Sequence, residues 1–263
     1  MSVSILAAID WSCPWLQPFR ELAEPIVNAS DWRQAINAVA EERGVKNHRN
    51  LPLHFVSQSD LPSGMAYETF ISETGYVPTR DNLHDFFNAL VWLLYPRTKA
   101  RVNELQAKAI KEMRGVTAIR GSLRDGLTLF DENGVFFFVQ DERYEIMLRE
   151  RKWKELLLDE RHAFGSGYAV YLFGHALIEK LVRPYKGITA HVWICRDNRI
   201  VRSLSMAEQQ DAHDRMVALS LTKKLSTKDF LPLPVLGLPE WASGQDEQFY
   251  ADVKVFRGLR TLG

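Results

Sequence analysis

The chain has 263 residues, with 33 Lys and Arg balanced by 33 Asp and Glu, 46% hydrophobic residues and 25% charged ones. That apolar content can bury a core and excludes a disordered chain, while zero formal net charge removes any global pull toward nucleic acid or an anionic membrane. The two cysteines, Cys13 and Cys195, form no CxxC pair, which excludes a disulfide framework and a cysteine-rich zinc site and fits a reducing cytoplasm.

The opening MSVSILAAIDW has no basic n-region and meets Asp10 early, so it does not read as a signal peptide. The longest apolar stretch, Tyr168 to Val182, is interrupted by Gly174, His175, Glu179 and Lys180 and is too short and polar to span a bilayer. A cytoplasmic protein with no membrane partner is expected. No repeat, low-complexity tract or charge block marks a boundary, so residues 1–263 read as one globular domain.

From Trp15 to Arg43 the pattern predicts two helices, the second capped by Ser30 or Asp31 and closed by Gly44. Leu53 to Val56 is a short strand candidate, followed by the turn Leu61-Pro62-Ser63-Gly64 and a break at Gly75 to Pro78. Thr79 or Asp81 then caps a helix through DNLHDFFNALVWLLY. Pro96 ends it, and a second helix runs from Thr98 to Met113, giving an αα-hairpin. GSLRDGLTLF predicts a short helix, DENG a sharp turn, and GVFFFV a central strand.

Helix returns over Asp141 to Leu158, and Gly165-Ser166-Gly167 leads into a predicted helix from Tyr168 to Val182. ITAHVWIC and RIVRSL flank Arg196-Asp197-Asn198 as a hairpin. A polar helix from Met206 to Leu225 precedes a Pro/Leu-rich tail, residues 231–263, expected to wrap the body in extended form. The expected class is α+β, a predominantly helical single domain with a small antiparallel sheet or hairpin.

Several chemistries lack their spacing. GxxxxGK[ST], HExxH and an EF-hand loop are absent; Gly165 and Gly167 do not continue into a dinucleotide fingerprint; and Ser166 follows Phe164 where a nucleophile elbow needs Gly. Lys99, Arg101, Lys108, Lys111 and Arg114 cluster on one helix but alternate with Glu104 and Glu112, the pattern of a solvated face, so a nucleic-acid partner is not expected.

What remains is polar residues inside apolar elements. Helical spacing aligns Asp81, His84, Asp85 and Asn88 on one stripe, opposite a core face of Phe86, Phe87, Leu90, Leu93 and Leu94. His84 and Asn88, one turn apart, can hold a metal or a ligand carbonyl with Asp85 behind them; the plain alternative is a helix N-terminus with favourable acids. His175 and Glu179 are four apart in nearly apolar surroundings, a spacing that chelates one ion or pairs a base with its orienting carboxylate. Such a Glu can also be paired by Lys180 or Arg183. His191 shares a strand face with Thr189, Trp193 and Cys195, which reads as a pocket floor or as a satisfied core histidine. Asp125, Thr128 and Glu132 share a helical face, although Arg124-Asp125 equally starts a helix.

In four blocks the chain resembles an uncharacterised family of proteobacterial proteins, domain of unknown function 3025. The blocks are LPSGMAYETFI with VPTRDNLHDFFNALVWLLYPRTKARVNELQ, then RGSLRDGLTLFDENGV, GHALIEKLVRPYKGITAHV, and LPVLGLPEWASGQDEQFYADVKVFR. The chain departs from the family's pattern at Glu240, where Gly is expected, and at Gly244-Gln245, in place of an Asn-containing turn. The resemblance supplies no mechanism. It implies that His84, Asp85, Asn88, Lys99, Asn103, Arg124, Asp125, Asp131, Glu132, His175, Glu179, Lys186 and His191 belong to segments that meet in space.

The leading expectation is a hydrolase in which His84, His175, Glu179 and His191 bind one divalent metal that activates water. Asp85, Asp125 and Glu179 would assist the chemistry, and Asn88, Lys99, Asn103, Arg124 and Lys186 would receive a small anionic substrate such as a phosphate ester. The alternative is a non-catalytic protein that binds a small ligand or a protein partner in a pocket lined by Tyr67, Trp92, Tyr185 and Trp193. Oligomeric state is not legible.

Overall fold

The computed structural model describes residues 6–112, 121–196 and 206–259. Helices α1 (Gln17–Val27) and α2 (Trp32–Glu42) open the fold, and the Asp31 side chain caps α2 by accepting from the backbone N–H of Arg33 and Gln34. Strands β1 (His54–Ser57) and β2 (Tyr76–Thr79) pair in parallel, with helix α3 (Tyr67–Thr74) between them. The predicted break at Gly75 to Pro78 is therefore mostly β2. Gly75, left-handed at φ 79, closes α3 and lets the chain turn straight into that strand.

The αα-hairpin is α4 (Leu83–Leu94) followed by α5 (Pro96–Glu112). Asn82 caps α4 through the N–H of Asp85, and Pro96 both stops α4 and opens α5, where its missing N–H costs nothing. Helix α6 (Ser122–Asn133) runs directly into β3 (Gly134–Val139). DENG is thus not a turn: Asp131, Glu132 and Asn133 form the last turn of α6, and Gly134 is the first strand residue, at an extended φ of −75°. A side chain at 134 would lie 2.4 Å from Phe130, so this direct joint requires glycine.

After α7 (Glu142–Arg149) and a π-helical turn at Glu155–Asp159, the Tyr168–Val182 region divides into strand β4 (Tyr168–Leu172) and helix α8 (His175–Lys180). A continuous apolar run fits a buried strand as well as a buried helix. Here pairing with β3 takes the first half, and Phe173-Gly174 separate the two.

Strand β5 (Thr189–Arg196), helix α9 (Met206–Ser220), strand β6 (Leu231–Pro234) and helix α10 (Glu247–Tyr250) complete the chain. The predicted turn at Asp197-Asn198 and the strand RIVRSL lie outside the described residues. The neighbours of β5 are β3 and β6: the sheet order is β4-β3-β5-β6, antiparallel in its two outer pairs and parallel between β3 and β5.

Every residue of β3 is buried, and Phe130, Phe136 and Phe173 cluster against it with Tyr95 from the αα-hairpin. Burying such a side chain is worth about 1.5–3 kcal/mol, so this aromatic centre fixes α4, α6 and α8 around the start of β3. The C-terminal segment is tied at Glu240 and Gln245. Glu240 is left-handed at φ 70, its N–H donates to Gln245 Oε1 (3.1 Å), and Gln245 Nε2 donates to the carbonyls of Leu236 and Leu238.

Candidate metal centre

Three element ends converge beside β3: the first turn of α4, the last turn of α6 and the first turn of α8. The contact that joins α6 to α8 is backbone on backbone. Phe173 and Gly174 N–H both donate to the Gly134 carbonyl (3.1 and 2.8 Å), and a Cβ at 174 would lie 2.5 Å from the Asn133 and Gly134 nitrogens. Only a glycine before His175 permits this approach, which places His175 against Asp131 and Glu132.

His175 Nε2 lies 3.0 Å from His84 Nε2, and Glu132 Oε2 lies 3.8 Å from the first and 4.0 Å from the second. A triangle with sides of 3.0, 3.8 and 4.0 Å has a circumradius of about 2.1 Å. One point between the three atoms is therefore at zinc–nitrogen and zinc–oxygen bonding distance, about 2.0–2.2 Å, from all of them at once. Among the described residues, His84, Glu132 and His175 are the set of His, Cys, Asp and Glu arranged in this way.

Proton placement calls for a positive charge near that point. Glu179 Oε2 lies 3.0 Å from His84 Nδ1; a carboxylate only accepts, so Nδ1 carries a proton, and in the neutral ring Nε2 presents a bare lone pair. If His175 Nε2 donated to that lone pair, its buried Nδ1, which has no hydrogen-bond partner, would turn a lone pair toward Asp131 Oδ2 at 3.9 Å. With the proton on Nδ1 instead, two Nε2 lone pairs face each other at 3.0 Å, and either a second proton, on His84 Nε2, or a cation between the rings resolves the conflict. Burial drives His175 down to about 3, opposed in part by the Asp131 charge and reinforced by Lys99 and His84, so the ring is the neutral species that ligation needs.

Behind the ligands stands a network of ion pairs. Lys99, buried on α5, donates to Asp131 Oδ1 (2.5 Å) and to Asn88 Oδ1 (2.8 Å). Burial works against the charged Asp131, but Lys99, His175 and His84 together hold its carboxyl below the ordinary range. Glu132 is shifted the other way, pushed up by burial and by the Asp131 charge beside it. Asp85 is fully engaged, accepting from the backbone N–H of Arg80 (2.6 Å) and from its guanidinium (3.0 Å twice).

His84, Asp85, Asn88, Asp131, Glu132 and His175 line a cavity of about 340 Å³ together with Tyr67 and Arg80. Several expected residues lie elsewhere. His191 pairs across the sheet with Gly134 and Pro232, outside ligand reach of the other histidines, and burial lowers its pKa. Asp125 is exposed in the first turn of α6, some 9 Å along the helix from Asp131 at about 1.5 Å per residue. Arg124 is buried outside the cavity. Asn103 donates to the Glu68 carbonyl, fastening α3 to α5. Lys186 is spent on Asp252 (3.0 Å) and lies over the Phe249 and Phe256 rings, pinning the C-terminal segment. Glu179 supports His84 from behind, and the third atom of the triangle belongs to Glu132, which the turn-like DENG concealed. Tyr185 is 61% exposed and Trp193 bonds Ser220, both away from this cavity.

Fold and site together define an α+β protein with a two-histidine, one-glutamate centre built at helix ends. The chain belongs to a family described as protein of unknown function (DUF3025), whose model matches residues 53–260. All three triangle residues lie within that span. Neither the curated proteins nor the solved structures include a match. Among the described residues, no helix is long and apolar enough to cross a membrane.

Proposed function

We propose that this protein is a metal-assisted hydrolase acting on a small anionic substrate of the phosphate-ester type. The observation that supports it is the triangle of His84, Glu132 and His175, equidistant from one point and backed by Glu179. Two His and one Glu are a ligand set of catalytic zinc sites, and three protein ligands leave coordination positions open for water and substrate. His84, Glu132 and His175 would hold a divalent ion, which would supply a water of lowered pKa, near 7, and so allow hydrolysis near neutral pH without a dedicated strong base. The oxygen of water bonds to phosphorus, the ester P–O bond breaks, and the alcohol departs with the proton that water gives up.

The substrate's negative charge meets Arg80. Its Nε and Nη2 are committed to Asp85, while Nη1 engages no described residue and the side chain is 58% exposed at the cavity wall. Lys99 is held by Asp131 and Asn88 and serves the walls of the site instead.

Titration of the full chain with zinc or manganese is expected to show one ion per chain, with binding lost in His84→Ala and in His175→Ala variants that remain folded. The loaded protein is expected to release 4-nitrophenol from 4-nitrophenyl phosphate. A protein that holds no metal after purification and gains no thermal stability from zinc, manganese or magnesium sinks the proposal.

A further inference from the structure

The hydrogen-bond chain running from Asp131 into the cavity has a direction fixed by chemistry. An ammonium group only donates, so Lys99 can bond Asn88 only through the amide oxygen, as the 2.8 Å contact to Oδ1 shows. That leaves the Asn88 Nδ2 group, which also only donates, facing the Tyr67 hydroxyl at 3.1 Å. The Tyr67 oxygen is therefore an acceptor in this bond, and its own proton is unspent. Among the described residues nothing accepts it, and Tyr67 lines the same cavity as His84, Glu132 and His175.

We infer that Tyr67 donates its phenolic hydrogen to the substrate oxygen on which negative charge builds as water attacks, which makes it a catalytic residue of the hydrolysis proposed above and rests on that reading. The bond strengthens as the P–O bond to the alcohol breaks, and the proton stays on the phenol throughout. Burial and the nearby Asp85 and Asp131 charges push the Tyr67 hydroxyl far up, so it remains a donor across the working pH range. The arrangement is preorganised: Asp131 fixes Lys99, Lys99 fixes the Asn88 amide, and the amide fixes the phenol, so no reorientation is needed as charge develops. Local sequence gives no hint of this, because Tyr67 and Asn88 lie 21 residues apart on separate helices.

The test uses the zinc-loaded full chain and Tyr67→Phe, which keeps the ring and removes the hydroxyl. With 4-nitrophenyl phosphate as substrate, kcat is expected to fall about 100-fold, the size seen when one donor to a developing oxyanion is removed, with KM changed less than about threefold. Inorganic phosphate, titrated as a second readout, is expected to bind the variant about tenfold more weakly, with zinc stoichiometry unchanged and Tm lowered by only about 2–4 °C for the lost Asn88 bond. Wild-type turnover with a variant kcat within threefold overturns the role of Tyr67 and leaves the hydrolase reading standing. A variant that loses zinc or unfolds shows that Tyr67 is structural and overturns it as well. A wild-type protein that binds zinc but neither turns over the ester nor binds phosphate brings down the hydrolase reading, and this inference with it.

Discussion

A buried carboxylate, Asp214, and a half-buried one, Asp131, grip the opening turn of α5 from different elements, and they serve different ends. Asp214, on α9, accepts the backbone N–H groups of Arg97 (2.9 Å) and Thr98 (2.8 Å), while the Thr98 hydroxyl donates to the Asp214 carbonyl. It acts as an N-cap supplied by another helix. Burial pushes its carboxyl up, against the pull of Thr98 and Arg97. Asp131, on α6, holds the next residue of α5, Lys99, and its other oxygen faces His175 across 3.9 Å. Lys99, His175 and His84 overcome burial and hold it down. Both carboxylates lie at the edge of a cavity, but Asp214 spends its oxygens on backbone amides, with Arg97 Nη1 3.8 Å away, and so caps a helix. Asp131, held by an ammonium and facing an imidazole, is electrically coupled to the titratable groups of the His84 cavity.

The sharpest way to break the Asp131 side without touching Asp214 is Gly174→Ala. The new Cβ would meet the Asn133 and Gly134 nitrogens at 2.5 Å, so we expect a stability loss of about 3 kcal/mol, at the upper end for overpacking. Zinc binding is expected to disappear with it, measured by chemical denaturation and by metal titration. Unaltered zinc binding would show that the approach of α8 to α6 does not set the site.

Next comes a paired dissociation. Asp214→Ala strands two buried N–H groups and is expected to cost about 2 kcal/mol with zinc affinity intact. Asp131→Asn is expected to weaken zinc about tenfold, the effect of removing a group behind a ligand, with less change in stability. If both variants behave alike, the distinction between the two carboxylates collapses.

The smallest effect belongs to Glu145, a closed ion cluster far from the cavity. Its carboxylate takes Arg196 through two bonds (2.6 and 2.8 Å) and Arg149 through one (2.8 Å). Arg196 first and Arg149 second hold its pKa below 4.5 against burial. Because the folded pKa is depressed, this stabilisation is present above the unfolded value and is lost as pH falls through the folded one. Glu145→Gln is expected to cost about 1 kcal/mol at neutral pH, the exposed guanidiniums being screened by solvent. It should also flatten the acid limb of stability below about pH 4.5 in denaturation series.

Local sequence makes the αα-hairpin legible, because the α4 periodicity and Pro96 report on the backbone itself. It also marks His84, His175 and Glu179 as polar groups in apolar helices that meet at one site. What it does not show is their division of labour, in which Glu179 bonds His84 Nδ1 instead of joining the triangle, because that depends on how two segments over 90 residues apart pack on β3. Glu132 is legible as part of the converging segments but not as a ligand, because DENG has turn chemistry in isolation, whereas in the fold Gly134 lets α6 pass directly into a buried strand. His191 illustrates the opposite failure. Alternation correctly puts it on the mixed face of β5, the face on which Trp193 packs against Phe130 of α6, yet His191 itself pairs with Gly134 and is not among the three residues that share the triangle.

The left-handed Glu240 carries a consequence for how relatives of this chain vary. A side chain other than glycine in that conformation costs about 1–2 kcal/mol, and here the Gln245 amide ties the 236–240 backbone together through three bonds. Glu240 and Gln245 are in this light one compensated unit. A lineage that acquires glycine at 240 is released from keeping glutamine at 245, so the two positions should be inherited as a pair.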